Sequence, residues 1–249
     1  MYQSERLELI LNILKKNGYT TVKYLTDELH YSNATVSRDL ALLEARKLVK
    51  RSYGGVELEE KHGTPLVFRY HKMKSSKIKV AKKAAELIED GDTVFIDAAT
   101  STQYIGHYLE GKKDITVITN NMALALYLGD LGINVMCLGG TVVESPSMLS
   151  GSIAVENAKK LHADKMFFST GGIDDMGNIA ASGETYRLLQ LTMAENSDKV
   201  YYLLDREKLH FKGSMYLFDL SEVDGVIADF DLKSKLKKEF NKTEFILAK

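Results

Sequence analysis

This chain of 249 residues lacks the features that would take it into a membrane, an oxidising compartment or a nucleotide-cofactor fold. Its single cysteine, Cys137, excludes an internal disulfide. Lying in the apolar run Val135-Met136-Cys137-Leu138, it reads as a small buried hydrophobe in a reducing compartment. No apolar run approaches the roughly 20 residues that cross a bilayer. Glu5 and Glu8 interrupt any leader-like stretch, so a cytoplasmic location and no membrane partner are expected. No Gly-x-Gly-x-x-Gly follows a strand and no Gly-x-x-x-x-Gly-Lys-Ser/Thr occurs, which removes the phosphate loops of the dinucleotide and nucleoside triphosphate folds. His30, His62, His71, His107, His162 and His210 are scattered without ligand spacing, so neither metal nor cofactor is expected. One further absence is local. Between Lys61 and Lys83 there is no Asp or Glu, while Lys61, Arg69, Lys72, Lys74, Lys77, Lys79, Lys82 and Lys83 accumulate, all within a net charge of −1. Such a run is either a solvated surface or a neighbour of phosphate.

What is present begins with three short helical patterns. Ser4 reads as the cap of a helix whose apolar face is Leu7, Ile10, Leu11 and Leu14, ending at Asn17-Gly18. Thr21 caps a second that carries Val22, Tyr24, Leu25 and Leu29. After His30-Tyr31, Ser32 opens a third, where Val36, Leu40 and Leu43 stack on one face and Ala34, Thr35, Ser37 and Arg38 point the other way. Two short helices joined by a tight turn, the second with a small, polar and basic outer face, form a helix-turn-helix. Small side chains let a backbone approach a base edge, and one guanidinium pairs with guanine or phosphate. Leu48–Arg51 and Val56–Leu58, around Ser52-Tyr53-Gly54-Gly55, read as a hairpin, or wing. Residues 1–58 are therefore expected to be a winged helix-turn-helix domain for double-stranded operator DNA. Its expected contacts are Thr21, Lys23, Ser32, Asn33, Ala34, Thr35, Ser37, Arg38, Lys50, Arg51 and Tyr53. The plainer alternative is a three-helix bundle packed on a partner domain.

Residues 59–76 read as a basic linker, broken by Gly63 and Pro65. A helix follows over 77–88, with Ile78, Ala81, Ala85 and Ile88 on one side and most of its lysines on the other. Those lysines either flank the operator or face solvent. From residue 77 to 249 the pattern is α/β, with strands expected at 93–96, 115–119, 135–138, 165–169, 200–204, 226–228 and 245–247. Helices are expected near 103–110, 122–129, 184–196 and 233–240. Apolar strands without alternation, separated by helices, predict a mainly parallel sheet covered on both faces.

In such sheets ligands bind outside the carboxyl ends of the strands. Five of those ends are polar: Asp97-Ala98-Ala99-Thr100-Ser101-Thr102, Thr119-Asn120-Asn121, Gly139-Gly140-Thr141, the stretch from Ser169 to Asp175, and Asp205 to Lys208. The first enters a helix, and three hydroxyls beside helix-start amides suit a phosphate. Thr100, Ser101 and Thr102 would hold that group and Lys208 would add charge, while Asp97, Asn120, Asp174 and Glu184 would bond sugar hydroxyls. Glu184 reads equally as a carboxylate that offsets a helix dipole, and Lys208 as a surface lysine.

The first domain resembles the winged helix of the DeoR family of bacterial transcriptional regulators, through Leu25, Leu29, Ser32, Thr35, Val36, Arg38-Asp39-Leu40, Leu43-Glu44, Leu48, Arg51 and Gly54-Gly55. Ser37 and Val56 stand where that family usually has arginine and alanine. The second resembles the same family's sensor domain through Asp97 with Thr100-Ser101-Thr102, Thr119-Asn120-Asn121, Gly139-Gly140, Gly151, Gly172-Ile173-Asp174, Glu184, and Asp205 with Lys208. The resemblance implies a fold related to ribose-5-phosphate isomerase, a phosphorylated sugar as effector and a homo-oligomer that binds operator DNA, commonly as a repressor. Ala99 replaces the usual glycine, and its methyl is expected to crowd the phosphate loop or shift its backbone. The rival is an isomerase-like enzyme, for which Glu184, Asp174 and Lys208 would supply base and electrophile. Against it, the chain lacks the paired Asp-Gly-Ala-Asp and Lys-Gly-Gly-Gly segments of ribose-5-phosphate isomerase.

Overall fold

The computed structural model describes residues 3–17, 20–52, 55–58, 73–144, 147–181 and 183–249. The chain divides into two compact units, Met1–Arg69 and Tyr70–Lys249. In the first, α1 (Gln3–Asn17), β1 (Thr20–Thr21), α2 (Val22–Leu29), α3 (Asn33–Ala45), β2 (Val49–Ser52) and β3 (Gly55–Leu58) follow in order. The periodic apolar positions do what their spacing dictates: Leu7, Ile10, Leu11, Leu14, Leu25, Leu29, Val36, Leu40 and Leu43 form one buried core with Val49 and Val56. Thr21 caps α2 by accepting from the Tyr24 N–H at 3.1 Å, and Ser32 caps α3 by accepting from that of Thr35 at 3.3 Å. One expectation fails: Ser4 lies inside α1 instead of capping it. In α2, Tyr24 is 44% exposed beside the buried Leu25 and Leu29. The hairpin pairs Val49 with Leu58 through Ser52 with Gly55. Thr20 and Thr21 add a third strand on Val56 and Gly55.

The second unit opens with α4 (Lys74–Glu86), which begins within the stretch read as linker. It continues through β4 (Thr93–Ile96), β5 (Thr116–Thr119), α5 (Met122–Asp130), β6 (Asn134–Cys137), the hairpin β7 (Thr141–Glu144) and β8 (Met148–Ser150), and α6 (Ser152–Ala158). After these come β9 (Ala163–Phe168), β10 (Gly172–Ile173), β11 (Asn178–Ala180), α7 (Glu184–Glu195), β12 (Ser197–Leu204), β13 (Tyr216–Asp219), β14 (Gly225–Ala228) and β15 (Glu244–Leu247). Seven strands form a sheet in the order β15-β14-β12-β9-β4-β5-β6, and every pairing in it is parallel. Alternate residues of one strand feed cores on opposite faces. Val94 and Ile96 pack with α4 and α5, whereas Phe95 packs with α6 and α7.

The expected helices at 103–110 and 233–240 are 3-10 segments, Thr102–Tyr108 and Lys233–Lys235. Cys137 is exposed, not buried. It sits on β6, the last strand of the sheet, where only one neighbour covers it. Among the described residues no helix is long and apolar enough to cross a membrane.

Candidate functional site

On α3 the outward residues are those the periodicity named. Ser32, Asn33, Ala34 and Arg38 are exposed, with Thr35 and Ser37 partly so. Their hydrogen bonds are short-range: Ser37 Oγ donates to Asn33 Oδ1 at 3.0 Å, and Arg38 Nε to the Ala34 carbonyl at 3.2 Å. Thr21, Lys23, Lys50 and Arg51 are also exposed, while Tyr53 lies outside the described residues. The helix is held from behind by a contact that its apolar spacing did not reveal. Asp39, 1% exposed, accepts from both Nε and Nη2 of Arg6 and from Gln3 Nε2, the last at 3.2 Å. Bonding to Asp39 raises the Arg6 guanidinium further above its usual range, and the same guanidinium lies 4.8 Å over the Tyr31 ring. α3 is thus fixed to α1 while its other side stays open. Small side chains and one arginine on such a face suit a major groove.

Because the seven strands are parallel, their carboxyl ends share one edge. β4 lies between β9 and β5, at the point where the strand order reverses, and the loop that leaves it is Asp97–Thr102. Asp97 is 4% exposed and fully committed. Its Oδ1 accepts from the Ala99 N–H at 3.1 Å and from Thr102 Oγ1 at 2.7 Å, and its Oδ2 from the Ser169 N–H at 3.1 Å and Gln190 Nε2 at 2.8 Å. Burial pushes its carboxyl above the usual carboxylate range, against the pull of those donors. Asp97 therefore ties the ends of β4 and β9 to α7, and it has no oxygen to spare for sugar hydroxyls. Thr102, also buried, turns inward to Asp97.

The two hydroxyls between them face cations. Lys77 Nζ donates to Thr100 Oγ1 at 2.9 Å, and Lys208 Nζ to Ser101 Oγ at 3.2 Å and Ser169 Oγ at 2.7 Å. Lys77 is 3% exposed and the Lys208 side chain 15%, and Asp205 lies 3.6 Å from the latter. One buried and one partly buried ammonium group on adjacent hydroxyls, with one carboxylate beside them, are an arrangement that suits an anion. Ala99 is absent from the positive-φ residues. Its backbone is therefore one that a residue with a Cβ adopts without strain.

β5 adds the next wall. Thr119 Oγ1 donates to the Ile96 carbonyl at 2.6 Å and Asn121 caps α5 through the Leu124 N–H at 3.1 Å, so both serve the framework. Asn120 clamps Leu149 of β8 through its side-chain nitrogen at 2.9 Å. Asn120 Oδ1 and Gln190 Oε1 are buried acceptors without a hydrogen-bond partner among the described residues. Such acceptors suit hydroxyl donors. Gly140, at φ 108°, passes so near the Ser150 carbonyl that a Cβ would lie 2.5 Å from it, whereas nothing lies near Gly139. A Cβ on Gly172 would lie 2.4 Å from the Lys208 carbonyl, so this glycine permits the approach that seats Lys208.

Two expected residues are not brought in. Asp174 organises its own hairpin, accepting from the Met176 and Asn178 N–H groups and from Asn178 Nδ2, each at 2.9 Å. Burial pushes its carboxyl up, but the Asn178 and Met176 donors leave it below the usual range. Glu184 is exposed in the first turn of α7, where a carboxylate offsets the helix dipole. Conversely, Lys77, Ser169 and Gln190 belong to the site and were absent from the expected set. The signal for Lys77 was present: it stands at the head of the apolar stripe Ala81, Ala84, Ala85 and Ile88, a charge where the helix period calls for a buried residue.

Residues 6–62 match the DeoR-like helix-turn-helix domain, and residues 72–230 match the DeoR C terminal sensor domain. The chain belongs to the DeoR family. It is 34% identical over 232 residues to the HTH-type transcriptional repressor GlcR of Bacillus subtilis, which covers 92% of this chain and 89% of that protein. It is 33% identical to the Lactose phosphotransferase system repressor of Lactococcus lactis subsp. lactis, over 99% of each chain. Ribose 5-phosphate isomerase from Plasmodium falciparum is similar over 55% of this chain and 53% of its own, with 19% identity and a TM-score of 0.41, a likeness too slight to carry function across. This DeoR-family chain is a DNA-binding transcriptional regulator, not an enzyme.

Proposed function

We propose that this regulator represses a sugar-metabolism operon and that a phosphorylated sugar, bound at the strand edge, controls its grip on the operator. The observation that carries this reading is the pair of lysines, Lys77 buried and Lys208 partly buried, bonded to the neighbouring hydroxyls Thr100 and Ser101. Two ammonium groups so close to one loop, with Asp205 beside the second, concentrate positive charge where an anion would sit. A phosphate suits them, because it accepts several charge-assisted hydrogen bonds at once. Asn120 Oδ1 and Gln190 Oε1 would receive sugar hydroxyls beside it. Relatives named as repressors, one of them of a lactose phosphotransferase system, support the same assignment.

Control then follows from linkage. The effector binds one state of a homo-oligomer better, and that state holds the winged helices away from the spacing of the operator half-sites. The test is a thermal-shift screen of sugar phosphates against the free sugars, with operator release followed by fluorescence anisotropy. Only phosphorylated compounds are expected to raise Tm and release DNA, and Ser101→Ala is expected to weaken both responses. Equal responses to free and phosphorylated sugars, or a full response from Ser101→Ala, would overturn the assignment.

A further inference from the structure

We propose that Lys77 couples the anion loop to the linker: it holds the effector's phosphate and reports that contact through the first turn of α4. This rests on the reading of the loop as a phosphate site.

Four features meet in this turn. Lys77 lies four residues past Met73, where α4 begins, and its Nζ is already on Thr100 Oγ1. The remainder of α4 is fixed, for Val80, Ala81 and Ala84 are 0% exposed in the core that also holds Ile105 and Leu109. Its start is not comparably secured. Met73 takes a left-handed conformation, φ 54° and ψ 33°, with no side-chain cap on the helix, which costs a residue that carries a Cβ. The first turn also has no acidic residue, although it carries Lys74 and Lys77, so cations sit at the positive end of the helix dipole. In the same turn Ser76 Oγ is buried with no hydrogen-bond partner among the described residues.

An anion answers two of these strains, the acceptor of Lys77 and the cations at the positive end of the helix dipole. A phosphate on Thr100 and Ser101 offers Lys77 a charged acceptor beside the hydroxyl it already holds, and a charge-assisted hydrogen bond is about twice as strong as one to a neutral group. Its charge also offsets the dipole and the two lysines of the first turn. The segment so stabilised reaches Met73 within about 6 Å of helix rise. Occupancy of the loop therefore orders the point at which the linker enters the sensor domain, and that point determines where the DNA-binding domain is tethered.

The test uses the full chain with inorganic phosphate and a panel of hexose monophosphates, an operator fragment followed by anisotropy, and hydrogen exchange of the peptide covering 73–80. Lys77→Met is expected to weaken binding of the phosphate compounds about 10- to 100-fold, as loss of a hydrogen bond to a charged group does. At ligand concentrations that restore occupancy it should remain on the operator, and its 73–80 peptide should gain no protection. Lys77→Arg should recover most of the release. If Lys77→Met is released like the unaltered chain while Lys208→Met and Ser101→Ala are not, Lys77 has no coupling role and the phosphate site stands. If no phosphate compound shifts Tm in the unaltered chain, the site itself fails, and Lys77 with it. Should Lys77→Met not fold, the unaltered chain and Lys77→Arg decide, since 73–80 protection that does not change on saturation overturns the proposal.

Discussion

The DNA-facing helix and the strand-edge loop use similar side chains on opposite terms. On α3 the polar groups are exposed, and their hydrogen bonds reach residues four positions away. At the loop they are buried, and their bonds join residues 72, 93 and 107 positions apart. A face that must fit a large, rigid duplex is left open, and its support comes from behind through Arg6 and Asp39. The site we propose for a small solute is closed by the chain itself, so there the same residues hold the fold and would read the ligand. Function should therefore separate from stability on α3 and not at the loop.

The sharpest way to break that contrast is Asp97→Ala. It strands the Ala99 and Ser169 amides, while Gln190 keeps its bond to the Ser169 carbonyl; at about 1–3 kcal/mol for each stranded donor, a loss of about 2–6 kcal/mol is expected. Urea denaturation measures it, and a loss under about 1 kcal/mol would show that the loop is not what closes the edge. Arg38→Ala tests the other side. It should cost about 1–3 kcal/mol of operator discrimination while unfolding free energy stays within about 0.5 kcal/mol. If stability falls along with binding, the two regions are not built differently. The smallest effect is at Asp175, outside both sites. Lys237 and then His210 hold its carboxyl at about 2, down from 3.8. Since the folded value lies below the unfolded one, the pair's stabilisation is complete above pH 3.8 and is lost as pH falls toward 2. Asp175→Asn should lower the denaturation midpoint slightly at pH 5 and not at all below pH 2. A constant offset across that window would exclude the ion pair as its cause.

What the sequence showed and what it hid follow the same division. Caps at Thr21 and Ser32 act over three residues, and the stripe Val36, Leu40 and Leu43 over seven, so the helix-turn-helix was legible from local spacing. The strands of the parallel sheet were legible because burial on both faces leaves continuous apolar runs. Short strands such as β10 and β11, and the hairpin β7–β8, have no comparable run. Which strand lies at the edge is not a local property either, and so Cys137 was misread as buried. The loop was recognised as a polar strand end, but the division of labour within it was not. Whether an aspartate meets a ligand or a backbone amide depends on neighbours some 70 to 90 positions away, as Ser169 and Gln190 do for Asp97.

The two-residue strand β1 carries a mechanical consequence for DNA binding. Thr21 is at once the partner of Gly55 in the wing sheet and the cap of α2. A tilt of the hairpin would therefore strain the residue that also caps α2, so one threonine ties the wing to the helix pair.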